Sequence, residues 1–362
     1  MSREPGAQFE SAYRALRRRL RAEGGSPKHV VREFVFFRDI RRDLGPVLDS
    51  RRRVVGRLRG PTFYIPASTL IEQPPLDPDI RAEIAFHALI PHRGETGRPK
   101  ALRFGSHCPC GECSRPSVRE FRLDKTVQLR AGNIYGTAGP AYEETVSMFR
   151  SSDRILRQHG MSFLHVARTW IHLRHIDRDY AEFNRGRRDF FREAGVEPPP
   201  ASTGIGGAPY AGRHSLLLSF DAIKAVPQPE FLFMTTPTLN EAWSYGSDFS
   251  RGLRVADGNK ETLFVSGTAS VDESGRTVHA EDCRAQIERM LLNISTLLRG
   301  QGASLDQIVL LTTYLKEARD ADCLREALAQ QGLADVPNAL VQAAVCRPDL
   351  LCEMEALAVR PL

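Results

Sequence analysis

Near the end of the chain an acidic pair sits among apolar residues, in Leu350-Leu351-Cys352-Glu353-Met354-Glu355-Ala356. A carboxylic acid can deliver a proton near neutral pH once burial has raised its pKa toward the working pH. The neighbours of Glu353 offer such a setting. Strand alternation puts Glu353 and Glu355 on one face and Met354 on the other, so the two carboxyls can push their pKa values apart. Cys346 adds a polarizable thiol seven residues before Glu353. Three more thiols crowd together in His107-Cys108-Pro109-Cys110-Gly111-Glu112-Cys113. Cysteine and histidine are good zinc ligands, but this spacing has no second paired half. A Gly/Pro-rich loop with free thiols and no metal is expected. His165, His172 and His175 cluster on one apolar stretch; His172 and Arg168 are four apart and share a strand face. Packed or surface histidines are expected there.

Elements must position these groups, and the chain is long enough to supply them. It has 362 residues, 41% apolar and 26% charged, enough for two ordinary soluble domains. No apolar run approaches the ~20 residues of a membrane span. Met1-Ser2-Arg3-Glu4-Pro5 lacks the apolar core of a signal peptide, so a cytoplasmic protein with no membrane partner is expected. Seven cysteines in such a chain read as reduced thiols. The net charge of +6 comes partly from Arg17-Arg18-Arg19 and Arg51-Arg52-Arg53. These clusters have few interleaved aromatics, so solvated faces are expected and nucleic acid is not. A modest positive field suits a small anionic substrate.

The chain repeats itself. Ile134-Tyr135-Gly136-Thr137-Ala138-Gly139 matches Val265-Ser266-Gly267-Thr268-Ala269-Ser270. A helix follows each, from about Glu143 to His159 and from about Ala280 to Leu298. In the second, Ile287, Leu291, Ile294 and Leu298 follow a helical period. Glycines cap both, and strands rich in β-branched or aromatic residues come next, Val166–Ile171 and Ile308–Leu315. Second helices, Asp177–Ala194 and Asp320–Gln331, precede closing strands at Ser215–Ala222 and Asp349–Ala356. Each unit thus reads strand–strand–helix–strand–helix–strand–strand, an α+β plan of a mixed sheet with helices on one face. Domains of 1–228, with the repeat visible from about 130, and 229–362 are expected, joined at Val226-Pro227-Gln228-Pro229-Glu230. Residues up to about 125 would add a leading helix, Gln8–Arg21, and extra strands. In this alignment Ser219 faces Glu353 and Asp221 faces Glu355, so only the second copy carries the acid. Clefts between such modules are common ligand sites.

Phe264-Val265-Ser266-Gly267-Thr268-Ala269-Ser270-Val271-Asp272, the Gly302 turn, Thr312-Thr313-Tyr314-Leu315-Lys316, Leu351-Cys352-Glu353-Met354-Glu355-Ala356 and Tyr245-Gly246-Ser247-Asp248-Phe249-Ser250-Arg251 together resemble the YjgF/Rid family, whose fold is chorismate mutase-like. The resemblance covers residues 240–362 well and 130–225 more weakly. It implies trimers with sites between subunits; a tandem pair would make one such interface internal and still self-associate. Rid imine deaminases carry an arginine on the penultimate strand, where this chain has Asn338, while the glutamate that positions water is kept as Glu353. Plain imine deamination is therefore not expected.

Two such modules together with Val345-Cys346-Arg347-Pro348-Asp349-Leu350-Leu351-Cys352-Glu353 resemble the chorismatase family. That resemblance implies a cofactor-free lyase or hydrolase that cleaves chorismate to pyruvate and a ring product. Cys346 before Glu353 implies 3-hydroxybenzoate, with 4-hydroxybenzoate also formed by some relatives, and Cys346 as a residue steering the product. A dihydroxy-cyclohexadiene carboxylate is the alternative product, and a Rid-like ligand or RNA binder the alternative role. Cleaving the enol ether needs a proton on its methylene carbon, the task given to Glu353. The substrate's carboxylates need donors, which arginine suits best. Arg251 stands where the Rid family has glutamine and leads; Arg347, Arg213 and Arg168 are further candidates. Tyr245 and Tyr210 could hydrogen-bond substrate, and Gly267 and Ala269 would let it approach a strand end.

Overall fold

The structure is a computed structural model that describes residues 5–55, 66–90, 116–123, 126–225, 227, 230–242, 248–257 and 260–362. Tyr245, the thiols Cys108, Cys110 and Cys113, and most of the expected linker lie outside these residues. No helix among the described residues is long and apolar enough to cross a membrane.

One plan recurs three times. Helix α1 (Pro5–Ala22) leads to strand β1 (Val30–Phe37), helix α2 (Ile40–Val55) and strands β2 (Ala67–Glu72) and β3 (Ala82–Ala88). A hairpin of β4 (Ser117–Leu123) and β5 (Thr126–Ile134) then precedes α3 (Ala141–Gln158), β6 (Val166–Leu173), α4 (Ile176–Ala194), β7 (Ala201–Gly206), β8 (Ala208–Pro209) and β9 (Leu216–Ala225). The last set is β10 (Phe231–Phe233), β11 (Gly252–Asp257), β12 (Lys260–Ala269), α5 (Cys283–Arg299), β13 (Ile308–Leu315), α6 (Ala321–Gln330), β14 (Asn338–Gln342) and β15 (Cys352–Pro361).

The same local chemistry turns each first helix into its strand. A glycine with positive φ follows the helix, Gly24, Gly160 and Gly302. Then a serine N–H donates to the side chain three residues on: Ser26 to His29 at 3.0 Å, Ser162 to His165 at 3.1 Å and Ser304 to Gln307 at 3.2 Å. Such caps satisfy backbone donors that a short helical turn leaves over. His165 is thus a turn-building residue.

Each strand after that turn pairs in parallel with the strand beyond its helix, β1 with β2, β6 with β7 and β13 with β14. Each also pairs antiparallel with a closing strand, β3, β9 or β15. The sheets run β3-β1-β2-β8, β4-β5-β9-β6-β7 and β10-β11-β12-β15-β13-β14. The chain therefore holds two complete modules and, within residues 5–90, a shortened third. Among its described residues, the segment expected to supply a leading helix and extra strands repeats the plan with no opening hairpin, which is the part that carried the Gly-Thr-Ala signature. The three sheets close a ring: β2 packs on β5, β7 on β12 and β14 on β3.

The pairing registers correct the alignment of the copies. His172 lies opposite Leu217, and Tyr314 opposite Glu353. Likewise Trp170 lies opposite Ser219, and Thr312 opposite Glu355. The counterpart of Glu353 is Leu217, not Ser219, and that of Glu355 is Ser219, not Asp221. Matching bulges, between Ala131 and Ile134 and between Val265 and Thr268, shift the hairpin strands as well. They align Asn133 with Gly267. In the shortened module Phe36 lies opposite Glu83, which makes Glu83 the counterpart there.

Helix packing settles which way Glu353 points. Ile287, Leu291, Ile294 and Leu298 of α5 pack with Cys352, Met354, Ala356 and Ala358 of β15 in one core. Burying each large apolar side chain contributes roughly 1.5–3 kcal/mol. Alternation then turns Glu353 and Glu355 to the opposite face, toward the second module.

Candidate active site

A cavity of about 630 Å³ opens between the second and third modules. Helix α4 and strand β7 form one wall, with Tyr180, Asn184, Arg187, Arg188, Ser202 and Gly204. The other wall comes from the third module, with Phe249, Arg251, Gly267, Ala269, Cys346, Arg347 and Glu353. Two backbone-to-side-chain bonds fix the seam: Ser266 Oγ accepts from Ser202 N at 2.8 Å, and Gly267 N donates to Thr203 Oγ1 at 3.0 Å.

Glu353 is 5% exposed. Its pKa is pushed up to about 8, mainly by desolvation and then by the Glu355 carboxylate, while Arg168 and Arg251 pull the other way. At neutral pH the group is an uncharged acid with a proton to give. Gly267 makes room for it, since a Cβ at that position would run into the Glu353 carboxylate oxygen. Glu355 is buried as well, in a network of its own. It accepts from Arg168 Nη2 at 2.6 Å, Thr203 Oγ1 at 2.6 Å and Trp170 Nε1 at 2.9 Å. A carboxylate this close to Glu353 raises the Glu353 pKa and so helps keep that acid neutral.

Cys346 lies on the same cavity wall. Burial, then the nearby Glu353, push its thiol up to about 12; Arg347 and a hydrogen bond with Tyr180 oppose that rise. It is a neutral thiol and no nucleophile at pH 7. Arg251 is buried and braced by Asn240, donating from Nε to the backbone oxygen at 2.7 Å and from Nη2 to Oδ1 at 3.1 Å. Arg347 donates from Nη1 to Gly275 O at 2.7 Å. Arg187 is buried against Phe183 and Phe249 and donates to Asn184 Oδ1 at 2.6 Å. With Arg185 and Arg188, five arginines line a cavity whose buried acid is neutral, against the two carboxylates Asp177 and Glu182 on the α4 side. The site suits a small molecule with more than one negative charge.

The model of the family described as Endoribonuclease L-PSP matches residues 247–360. A RutC family protein of Pyrococcus abyssi is 30% identical over 113 residues, 86% of its length and 31% of this chain. The chain belongs to the RutC, or Rid, family. Longer matches resemble the chorismatases. A 3-hydroxybenzoate synthase of Streptomyces hygroscopicus is 28% identical over 257 residues, 63% of this chain and 73% of that protein. A chorismatase of the same organism is 25% identical over 247 residues, 61% of this chain and 69% of that protein. A crystal structure of a chorismatase superposes with a TM-score of 0.65 at 21% identity, over 91% of this chain and 93% of that one, and so shares its fold.

Not every residue expected at the Rid-type cleft is there. Glu353, Cys346, Arg251, Arg347, Gly267 and Ala269 line it. Arg168 does not: it sits behind Glu353, held by Glu355 and Thr203. Tyr210 packs against the core of the first module, and Arg213 contacts His214 at 3.3 Å, both away from the cavity. Asn338 is also elsewhere, on β14, accepting from Thr313 Oγ1 at 3.1 Å. Its counterpart in the cavity is Ser202, because each cleft takes this strand from the preceding module. His172 is buried and its pKa falls to about 3 through desolvation, which leaves it neutral. No cluster of metal-binding side chains occurs among the described residues.

Sequence reasoning missed the α4 wall. Tyr180, Asn184, Arg187 and Arg188 recur at helical spacing on one face of Ile176–Ala194. That polar face could have been read from the sequence. What it faces could not.

Proposed function

We propose that this chain cleaves the enol ether of chorismate, releasing pyruvate, with Glu353 as the acid. The observation that carries this reading is a buried, neutral carboxyl on the wall of an arginine-lined cavity between modules. Its proton goes to the enolpyruvyl methylene carbon, where a C–H bond forms and an oxocarbenium ion results. A neighbouring ring hydroxyl can capture the cation; the bond from that oxygen to the ring then breaks, pyruvate leaves with the oxygen as its ketone, and loss of a ring proton makes the ring aromatic. Water can capture it instead; the hemiketal then breaks between the former enol carbon and the ether oxygen, which stays on the ring as a hydroxyl. Without net water the ring product is 3-hydroxybenzoate, an isomerically balanced split of chorismate. Capture by water with retention of the diene gives the dihydroxy-cyclohexadiene carboxylate.

Arg251, Arg347 and Arg187 offer charge-assisted donors to the substrate's two carboxylates. The neutral Cys346 thiol beside Tyr180 faces the same space as Glu353 and favours the aromatic product in this reading. The names of the longer relatives, a 3-hydroxybenzoate synthase and a chorismatase, support the substrate. The test is direct. Purified protein is incubated with chorismate and pyruvate is followed by a coupled assay, with ring products separated by chromatography. Pyruvate with 3-hydroxybenzoate is expected, and Glu353→Gln should lower kcat by about 10²–10⁴-fold. Absence of pyruvate, or an unimpaired Glu353→Gln variant, would sink the assignment.

A further inference from the structure

Where the inner faces of the three modules meet, a second cavity of about 30 Å³ lies apart from the catalytic cleft. Its polar lining comes from His87, Arg168, Trp170, Asp221, Thr312 and Glu355. Two buried nitrogens there have no hydrogen-bond partner, Arg168 Nη1 and His87 Nε2. Arg168 is 2% exposed. Behind the lining, Arg32 Nε donates to Asp221 Oδ1 at 3.1 Å, and Arg130 Nη1 reaches Asp221 Oδ2 at 2.9 Å. Arg32 and Arg168 also stack near Trp170, at 4.9 and 4.8 Å from its ring.

The charges do not balance. Among the described residues Arg32, Arg130 and Arg168 form ion pairs with two carboxylates, Asp221 and Glu355, and the further carboxyl near Arg168, Glu353, is neutral. His87 adds no further positive charge, because burial lowers its pKa to about 4 and leaves it neutral. One positive charge is left over in a cluster where Arg32 and Arg168 are buried and Arg130 is half-buried, and an uncompensated charge out of water is costly. A water molecule needs ~10–15 Å³ of such space and could satisfy the free nitrogens, but it leaves the charge. We propose that this axial cavity binds one small monovalent anion of halide size, held by Arg168 Nη1 and the Nε2–H of His87. The anion belongs to the fold and not to the reaction. It ties Arg168 of the second module to His87 of the first, beside Glu355 of the third.

The test uses the full chain. Crystals grown or soaked in sodium bromide should show an anomalous peak within hydrogen-bond distance of Arg168 Nη1. Thermal unfolding at constant ionic strength should rise by roughly 2 °C per tenfold increase in bromide over gluconate, an anion too large for the cavity. Ala85 lines the cavity, so Ala85→Val should fill it and abolish the bromide dependence. No anomalous peak at saturating bromide overturns the proposal. So does a bromide dependence that persists in a folded Ala85→Val.

Discussion

Replacing Glu355 with glutamine keeps the side chain's shape but removes one buried charge, and its single amide oxygen can accept on only one of the two sides that Thr203 and Trp170 now fill. That charge is the second cause of the raised pKa of Glu353, after desolvation. Two residues apart on a strand, the carboxyls are separated by roughly 6.7 Å. At an effective dielectric constant of about 20 the repulsion is about 2.5 kcal/mol, or roughly 2 pH units. Arg168 loses its ionic partner in the same variant, and its freed positive charge also favours ionised Glu353. Both effects point one way. In the wild type, kcat/KM for pyruvate release should hold below about 8 and fall above it, because the active form is the protonated acid. In Glu355→Gln that falling limb should move down to about 6. Breaking a buried ion pair costs about 3–5 kcal/mol, so the variant is assayed well below its melting temperature. Profiles from pH 5 to 9.5, with folding checked at each pH, decide the matter. A limb that stays where it was, or moves up, refutes Glu353 as the titrating donor.

Four other outcomes follow from the same geometry. Arg251→Met should raise KM for chorismate about tenfold or more, by loss of a charge-assisted donor, and should move the falling limb of kcat/KM to higher pH, since Arg251 lowers the Glu353 pKa. Gly267→Ala should cost about 10²-fold in kcat by displacing the Glu353 carboxyl, with much smaller loss of melting temperature; unchanged kcat would show that the acid has another place to stand. Cys346→Ala should keep pyruvate release but shift the ring product from 3-hydroxybenzoate toward the diene diol, read by chromatography. The stability of Glu353→Gln carries a sign. A folded-state pKa raised to about 8 gives the wild type a contribution that is complete below the unfolded value of 4.5 and lost as pH rises through 8. Denaturant titrations should therefore show Glu353→Gln gaining on the wild type from pH 5 to 8, by about 1.4 kcal/mol per unit.

The burial of Glu353 was readable because its evidence is local: Glu353 alternates with core residues in one short strand. Cys346, Arg251, Gly267, Ala269 and Arg347 belong to the same module and reach the same cavity. Residues borrowed across a module boundary were not readable. Arg168 has the right type and strand face, yet Glu355 occupies it. Arg187 and Tyr180 reach the site only because α4 of one module overhangs the sheet of the next. The slip between Ser219 and Leu217 has a plain cause as well. Bulges add residues to one strand and not its partner, so a match by motif drifts from a match by pairing. The first module stayed hidden because its described residues include no opening hairpin, although its Gly24-Gly25-Ser26 turn has counterparts in Gly160-Met161-Ser162 and Gly302-Ala303-Ser304.

Three module boundaries close the ring, yet the acid and the space it needs coincide at one. Between the first and second modules, Leu217 stands in place of Glu353 and is fully buried. Asn133 stands in place of Gly267, at φ +53, and its Oδ1 accepts from Leu70 N at 3.0 Å. Thr69 and Ser219 hydroxyls bond across the same seam at 2.7 Å. That boundary is sealed by side chains where the one that holds Glu353 is open. At the third boundary Glu83 keeps a carboxyl, with a pKa raised by burial. There the described residues include no opening hairpin of the first module, hence no counterpart of Gly267 to face it. A homotrimer repeats any substitution at all three of its sites. Placing the modules in one chain removes that constraint: one boundary can keep a neutral acid and an open cavity, while the others turn to packing and to buried charge that holds the ring together.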